Sequence, residues 1–207
     1  MNKPALFLDF DNFKFDTWPA HIAYLNEKYG INSVIADYAH NPPLEQVVGR
    51  YLPEGQRPTH IPLYEDLGKN FLASIERHAD VKPMEGMCEV VPKLAEKYDL
   101  WTVTARQKTS RPVIEHLIER YIPGCIAGIH NVWEHHGDGR VTGVSKRDFI
   151  WSFQGPKVAF LDDSPGEILQ LQDLLPCYLY DPKGIHDGDG RIQHRVRSWW
   201  EIGEVFL

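Results

Sequence analysis

The chain has 207 residues, with 29 acidic against 22 basic side chains, a formal net charge of −7, and 43% apolar residues. That is enough apolar material for one substantial core and a smaller appended lobe, and the composition is that of a globular chain, not a disordered one. The acidic balance argues against a generally basic nucleic-acid-binding surface, and no apolar run approaches the roughly 20 residues that span a bilayer.

Three scattered cysteines, Cys88, Cys125 and Cys177, form no metal-binding pattern and set the expectation of a reducing, cytoplasmic compartment. Acidic residues, beginning with Asp9, interrupt the stretch in which an export signal would be apolar.

The first element is the apolar run Ala5-Leu6-Phe7-Leu8, stopped abruptly by Asp9-Phe10-Asp11-Asn12. It predicts a buried strand that delivers carboxylates to its carboxyl end, where open α/β sheets place ligands. Residues 18–29 carry Ile22, Tyr24, Leu25 and Tyr29 ahead of Gly30, the pattern of an amphipathic helix with a glycine stop. From Asn41 to Pro62 the prolines 42, 43, 53, 58 and 62, with Gly49 and Gly55 among them, break any long element, which predicts a loop-rich lobe of short helices.

Regular alternation resumes near Val90. A helix to Tyr98, a strand over 100–104 and a helix over 111–120 are followed by apolar segments at 126–132, 158–161 and 177–180, with helical stretches at 147–153 and 167–175. Strands separated by helices predict an α/β, doubly wound, mostly parallel sheet covered on both faces. Asp138-Gly139 suits a tight hairpin turn projecting from that core. The segment Asp187-Gly188-Asp189-Gly190 is too short for a calcium loop and reads as a turn. His130, His135 and His136 lack partnered cysteines or spaced carboxylates and read as solvated histidines. Trp199 and Trp200, on a terminal helix, are expected to seal the core edge.

Four places set a polar group at the end of an apolar strand or the start of a helix: Asp9/Asp11, Thr104, Lys146 and Asp162/Asp163. Singly, each has an ordinary reading, because acidic residues at strand ends cap helices and lone lysines are solvated. Together they converge, since neighbouring strands of a doubly wound sheet bring all four to one crevice. Phosphoryl transfer to a carboxylate fits that cluster. A phosphate dianion repels a carboxylate, so attack needs a divalent cation that touches both, and Mg²⁺ suits hard oxygen ligands. Asp9 is then the expected nucleophile and Asp11 the acid and base. Thr104 would donate to a nonbridging oxygen, Lys146 would neutralise charge and hold Asp9 ionised, and Asp162 and Asp163 would complete the cation's oxygen shell.

Leu6-Phe7-Leu8-Asp9-Phe10-Asp11, Val103-Thr104, Lys146 and Phe160-Leu161-Asp162-Asp163 resemble, in this order, the four motifs of the haloacid dehalogenase-like hydrolase superfamily. The match spans nearly the entire core. It implies a Rossmann-like core with phosphatase activity, the same roles for Asp9 and Asp11, and Mg²⁺ held by Asp9, the Asp11 carbonyl and Asp162. Asp163 would act through water or by orienting Lys146. Thr104, Ala105, Arg106 and Lys146 are the expected substrate contacts; Arg106 is either a phosphate-reaching side chain or an ordinary surface arginine. The insertion between the first two motifs is where the family's C1-type cap sits, which divides the chain into a core of 1–17 and 88–207 and a cap of 18–87.

The layout is similar to 5′(3′)-deoxyribonucleotidase-like members, so the expected substrate is a small nucleotide-like phosphate and the expected assembly a monomer or homodimer. In the cap, Trp18, Tyr64 and Phe71 are candidates to stack on a flat group and Arg57 or Lys69 to meet a second anion, each in competition with a plain structural role. One departure stands out: Asn12-Phe13-Lys14 replaces the family's usual Gly-Thr or Gly-Val. Asn tolerates positive φ, so the turn is expected to survive, with Phe13 and Lys14 narrowing the entrance or altering substrate choice. The competing readings are a polynucleotide-end phosphatase, suggested by Arg106, and a non-catalytic protein that binds phosphoryl ligands, suggested by Asn12-Phe13-Lys14.

Overall fold

The computed structural model describes residues 3–38, 42–135 and 141–207. In chain order its strands are β1 (Ala5–Leu8), β2 (Phe15–Asp16), β3 (Lys82–Pro83), β4 (Asp99–Gln107), β5 (Ile126–His135), β6 (Val141–Gly143), β7 (Lys157–Asp162), β8 (Cys177–Tyr180) and β9 (His194–Val196). The helices are α1 (Trp18–Tyr29), α2 (Leu44–Arg50), α3 (His60–Asp66), α4 (Met87–Lys97), α5 (Arg111–Tyr121), α6 (Lys146–Ser152), α7 (Pro165–Leu171) and α8 (Trp199–Phe206), with shorter 3₁₀ turns between them.

Seven strands form the main sheet in the order β6-β5-β4-β1-β7-β8-β9. All are parallel except β6, which returns antiparallel to β5. This is the mostly parallel, doubly wound α/β arrangement that the alternation predicts. Period-two alternation explains how β1 is buried on both sides. Leu6 and Leu8 pack with Val90, Leu94, Val113 and Leu117 of α4 and α5, whereas Ala5 and Phe7 face Ile150 and Ile168 of α6 and α7. All four residues of β1 are buried, and removing the Phe7 ring would cost about 3–5 kcal/mol through lost transfer energy and the cavity left behind.

Between β2 and β3 the chain leaves the sheet to build a lobe from α1, α2, α3 and a π-helical turn at Leu67–Leu72. The lobe has an apolar cluster of its own, in which Ile22, Leu25, Val47, Val48, Leu63 and Phe71 are buried. Gly30 ends α1 in the left-handed region at φ 62°, and its N–H bonds the Asn26 carbonyl. The lobe's two connections to the sheet run side by side as an antiparallel pair, Phe15 opposite Pro83 and Asp16 opposite Lys82.

Several elements differ from expectation. β2, β3 and β9 are two or three residues long, too short for periodicity to reveal. His130 is half-buried, not simply solvated: its ring stacks on Phe149 at 4.0 Å, and Nε2 lies 2.8 Å from the Val144 carbonyl oxygen. Trp199 does seal the core, fully buried with its indole N–H donating to the Phe13 carbonyl at 2.9 Å, but Trp200 is half exposed. The hairpin forms, pairing Trp133 with Gly143 and Glu134 with Thr142. Its turn residues, Asp138 and Gly139, and His136 lie outside the described residues, as does Asn41 at the start of the proline-rich segment. Residues 187–190 form turns, closed by Arg197 on Asp187 and Arg191 on Asp189.

Candidate active site

β4, β1 and β7 are neighbours in the sheet, so their carboxyl ends deliver Thr104, Asp9 and Asp162 to one place. Asp9 follows β1 directly, and its N–H is tied to the Leu161 carbonyl of β7 at 2.9 Å. Lys146, the first residue of α6, is brought in from the side, with Ser145 capping the helix by accepting from the Asp148 N–H. Its Nζ donates to Asp9 Oδ1 at 2.7 Å and to Asp162 Oδ2 at 2.6 Å, all three side chains being buried. Asp162 also accepts the Ser164 N–H through Oδ1 at 2.8 Å, which fixes its orientation.

Burial pushes the Asp9 carboxyl up to about 7 despite the pull of Lys146. Asp162 and Asp163 are likewise raised by burial, and for Asp163 the Asp162 and Asp9 charges add to the effect. Lys146 is raised as well, but by its neighbours: Asp162 and Asp9 hold it above the usual lysine range in spite of its burial. Asp9, Asp162 and Asp163 offer carboxylate oxygens that all lie within 4.8 Å of one another. Three clustered carboxyl groups, bridged on one side by Lys146, present hard oxygen donors that fit a divalent cation such as Mg²⁺.

After Asp9 the chain makes one tight turn, closed by the Lys14 N–H on the Phe10 carbonyl and the Asn12 N–H on the Phe15 carbonyl. Asn12 sits at φ 50°, so the asparagine takes the left-handed position as expected, and Thr17 Oγ1 donates to its Oδ1 at 3.2 Å. The expectation for its neighbours is overturned. Phe13 and Lys14 do not narrow the entrance, because both are fully buried. Phe13 packs on Tyr180 and Trp199, and Lys14 Nζ turns inward to the carbonyl oxygens of Leu8, at 3.1 Å, and Asp9. The ammonium, brought down to about 7 by burial, thereby holds the backbone that carries Asp9.

Arg106 also departs from both of its readings. It is neither on the surface nor free to reach a phosphate: it is buried, and it grips Asp11 through Nε at 2.9 Å and Nη2 at 2.8 Å. Burial would raise Asp11, but this guanidinium outweighs it and holds the carboxyl below the usual aspartate range. Nη2 also meets His78 Nε2 at 3.1 Å, while His78 Nδ1 lies 2.8 Å from the Ser74 carbonyl, which makes Nδ1–H the donor and Nε2 the acceptor. The lobe therefore reaches down to Asp11.

Thr104 is buried, and its Oγ1 accepts the Arg106 N–H at 3.2 Å, so its own hydroxyl hydrogen remains for a ligand; Ala105 is exposed between them. Of the lobe candidates, Trp18 lines a cleft of about 340 Å³ that opens beside Asn12 and Asp163. Phe71 is lobe core, Tyr64 stacks on His60, and Arg57 donates to the Leu52 carbonyl. His78 takes part in the site without having been marked for it in sequence, and Lys14, expected at the entrance, supports the backbone of Asp9 instead. No spacing rule points to them, since each comes from the tight turn or the lobe.

No protein-family model and no curated protein matches the sequence. Solved structures do match. A haloacid dehalogenase-like family hydrolase from Streptococcus pneumoniae aligns at a TM-score of 0.66 with 13% identity, covering 99% of each chain. A predicted phosphatase from Clostridium acetobutylicum aligns at 0.63 with 17% identity, over 99% of this chain and 98% of its own. The chain has the haloacid dehalogenase-like fold. Another protein of that fold, a hydrolase from Bacillus subtilis with magnesium bound, aligns at 0.62 with 12% identity over 100% of this chain and 99% of its own. Within the haloacid dehalogenase-like fold, Asp9, Thr104, Lys146 and Asp162 stand together at the carboxyl edge of the sheet, and Asp11 and Arg106 face the inserted lobe.

Proposed function

We propose that the chain is a Mg²⁺-dependent phosphomonoesterase working through an aspartyl-phosphate on Asp9. The observation that carries this reading is the Lys146 ammonium bridging Asp9 and Asp162 beside Asp163, at the edge where parallel sheets hold ligands. Asp9, Asp162 and Asp163 would hold the cation, with the Asp11 carbonyl as the family resemblance adds. When bound, the cation supplies charge neutralisation between carboxylate and phosphoryl oxygens.

The chain's own groups do the rest. Asp9 attacks phosphorus, the ester P–O bond breaks, and the leaving oxygen takes a proton from the Asp11 carboxyl. Water then attacks the same phosphorus with Asp11 accepting its proton, which frees inorganic phosphate and restores Asp9. Thr104 Oγ1 donates to a nonbridging oxygen, and Lys146 stabilises the charge that builds on the transferring group. Arg106 favours ionised Asp11, the form that accepts a proton, so the donor half of the cycle requires that grip to loosen.

Residues 18–87 act in this reading as a C1-type cap that closes over the site and excludes water. Trp18, Ile35 and Tyr38 form one wall of the cleft beside Asp163, and Pro182 and Lys183 belong to the other. An aromatic wall with a cation opposite suits a small, flat leaving group and supports a nucleotide-like substrate. The polynucleotide-end reading loses its support, because Arg106 is engaged by Asp11 inside the protein. The test is release of phosphate from an aryl phosphate and a nucleotide panel, with Mg²⁺ and with chelator, for the unmodified chain and for Asp9→Asn. Metal-dependent turnover lost in the variant is expected; silence across the whole panel would favour the non-catalytic reading instead.

A further inference from the structure

The tight turn that follows Asp9 is built inward from phenylalanines. Phe10, Phe13 and Phe15 are fully buried in the core, and Lys14, in the same turn, is as deeply buried as they are. A leucine or methionine would fill that volume without taking an ammonium out of water, and a lysine is rarely found fully buried unless it is paired. Lys14 Nζ donates to two consecutive main-chain carbonyls, Leu8 at 3.1 Å and Asp9. These carbonyls stand on either side of the Asp9 α-carbon, so the ammonium fixes both peptide planes from which the Asp9 side chain projects.

The main chain of the same residue is tied to the lobe. The Lys14 carbonyl accepts the Met84 N–H at 2.8 Å, just beyond β3, and β3 pairs with β2 where the two connections of the lobe run side by side. Met84 also lines the cleft beside Asn12, Trp18 and Asp163. A further anchor, the Trp199 indole on the Phe13 carbonyl, ties the turn to α8. Lys14 thus reaches Asp9 through its side chain and the return connection of the lobe through its backbone.

We infer that Lys14 is a positioning residue for Asp9 and the joint through which the seating of the lobe is conveyed to it. The effect on rate rests on the phosphomonoesterase reading; the effect on placement rests on the hydrogen bonds alone. Attack requires the carboxylate oxygen within about 3–3.5 Å of phosphorus, and a misplacement of about 1 Å costs about a hundredfold in rate. A leaving group that settles in the cleft bears on Met84, which is one hydrogen bond from the residue that sets Asp9. The departure at Asn12-Phe13-Lys14 then serves the nucleophile, not the entrance.

The test compares the unmodified chain with Lys14→Met, which keeps the length and loses the donors, and with Lys14→Gln, which keeps neutral donors at nearly the same reach. Thermal melts establish that each variant is folded, and Lys14→Gln serves where Lys14→Met does not fold. With an aryl phosphate and Mg²⁺, kcat is expected to fall by about 10- to 100-fold in Lys14→Met with KM within about twofold, and to fall less in Lys14→Gln. A packing role alone would move the melting temperature and leave kcat in place.

Amide hydrogen exchange, without substrate or metal, gives a readout that needs no turnover. The Asp9 amide, bonded to Leu161, and the Met84 amide, bonded to Lys14, are expected to exchange at least about tenfold faster in Lys14→Met, each measured against the Phe160 amide, which bonds the Pro176 carbonyl. Unchanged kcat overturns the positioning role, as does a lower kcat with both amides unchanged. Faster exchange at Asp9 alone overturns the link to the lobe. No turnover of the aryl phosphate or of a nucleotide panel by the unmodified chain overturns the phosphomonoesterase reading instead. The two amides then decide: faster exchange at both keeps Lys14 as the joint, and no change at either removes it.

Discussion

Asp9 and Asp11 stand two residues apart on one turn, each held by a buried cation, and their environments oppose one another. Lys146, at the start of α6, holds Asp9 and shares itself with Asp162, in a site rich in carboxyl groups where burial drives Asp9 up to about 7. Arg106 holds Asp11 alone, in bidentate geometry, and drives it down. The proposed mechanism needs Asp9 ionised and Asp11 protonated, the opposite of what burial and Arg106 impose on the two groups without a cation. The difference teaches that the two cations are committed differently: Lys146 is shared between two of three clustered carboxyl groups, whereas Arg106 is given over to Asp11 and His78. A cation held by Asp9, Asp162 and Asp163 would bring Asp9 down, toward the order that the proposed mechanism requires.

The predictions test whether the two pockets are as different as their geometry indicates. The largest effect falls on the nucleophile: Asp9→Asn should reduce phosphate release to background in the presence of Mg²⁺, whereas Asp11→Asn should cost about 10²- to 10⁴-fold, both read in steady-state assays. Next is Lys146→Ala, which leaves Asp9 and Asp162 buried without their partner and should destabilise the fold by about 3–5 kcal/mol in urea titrations. Chelator-treated protein should gain about 2.7 kcal/mol at a Mg²⁺ concentration a hundred times the dissociation constant, and Asp162→Asn should lose most of that gain while Arg106→Gln retains it. A cation effect that vanished in Arg106→Gln would merge the two pockets into one.

The smallest effect concerns pH. Burial brings His21 and His78 down to about 4 from 6.5, so the unfolded chain takes up protons that the folded chain refuses. Stability from this source is complete above pH 6.5 and is lost as pH falls toward 4. Thermal melts of His21→Phe should therefore decline less steeply over that interval than those of the unmodified chain, and an unchanged slope would remove His21 from the buried pocket.

Much of the core was legible in the sequence. The run Ala5–Leu8 and the segments at 100–104, 158–161 and 177–180 announced a parallel sheet because buried strands are apolar on both faces, and a strand that ends in Asp9 must present it at the carboxyl edge. The same logic put Thr104 and Asp162 at the same edge, since parallel neighbours bring equivalent ends to one line, while Lys146 reaches it from the start of α6. Phe13 and Lys14 were misread because their direction depends on a single tight turn, in which a shift of one position exchanges the entrance for the core. Arg106 was misread for a related reason. It follows Thr104 on β4, and whether it points to solvent or to Asp11 depends on what lies above the strand end.

What lies above is the lobe, and there the sequence by itself said little beyond proline-broken helices with an apolar cluster of their own. His21 and His78 are 57 positions apart and belong to no common motif, yet both stack on Phe71, and His78 meets Arg106 across the junction. Periodicity and strand ends determined the carboxyl cluster at the sheet edge, because a sheet repeats and its edges are predictable from local pattern. The pocket around Arg106 was decided by tertiary structure alone, because it exists only where a non-repeating lobe closes on the sheet and carries side chains distant in the chain to within hydrogen-bond reach of one guanidinium.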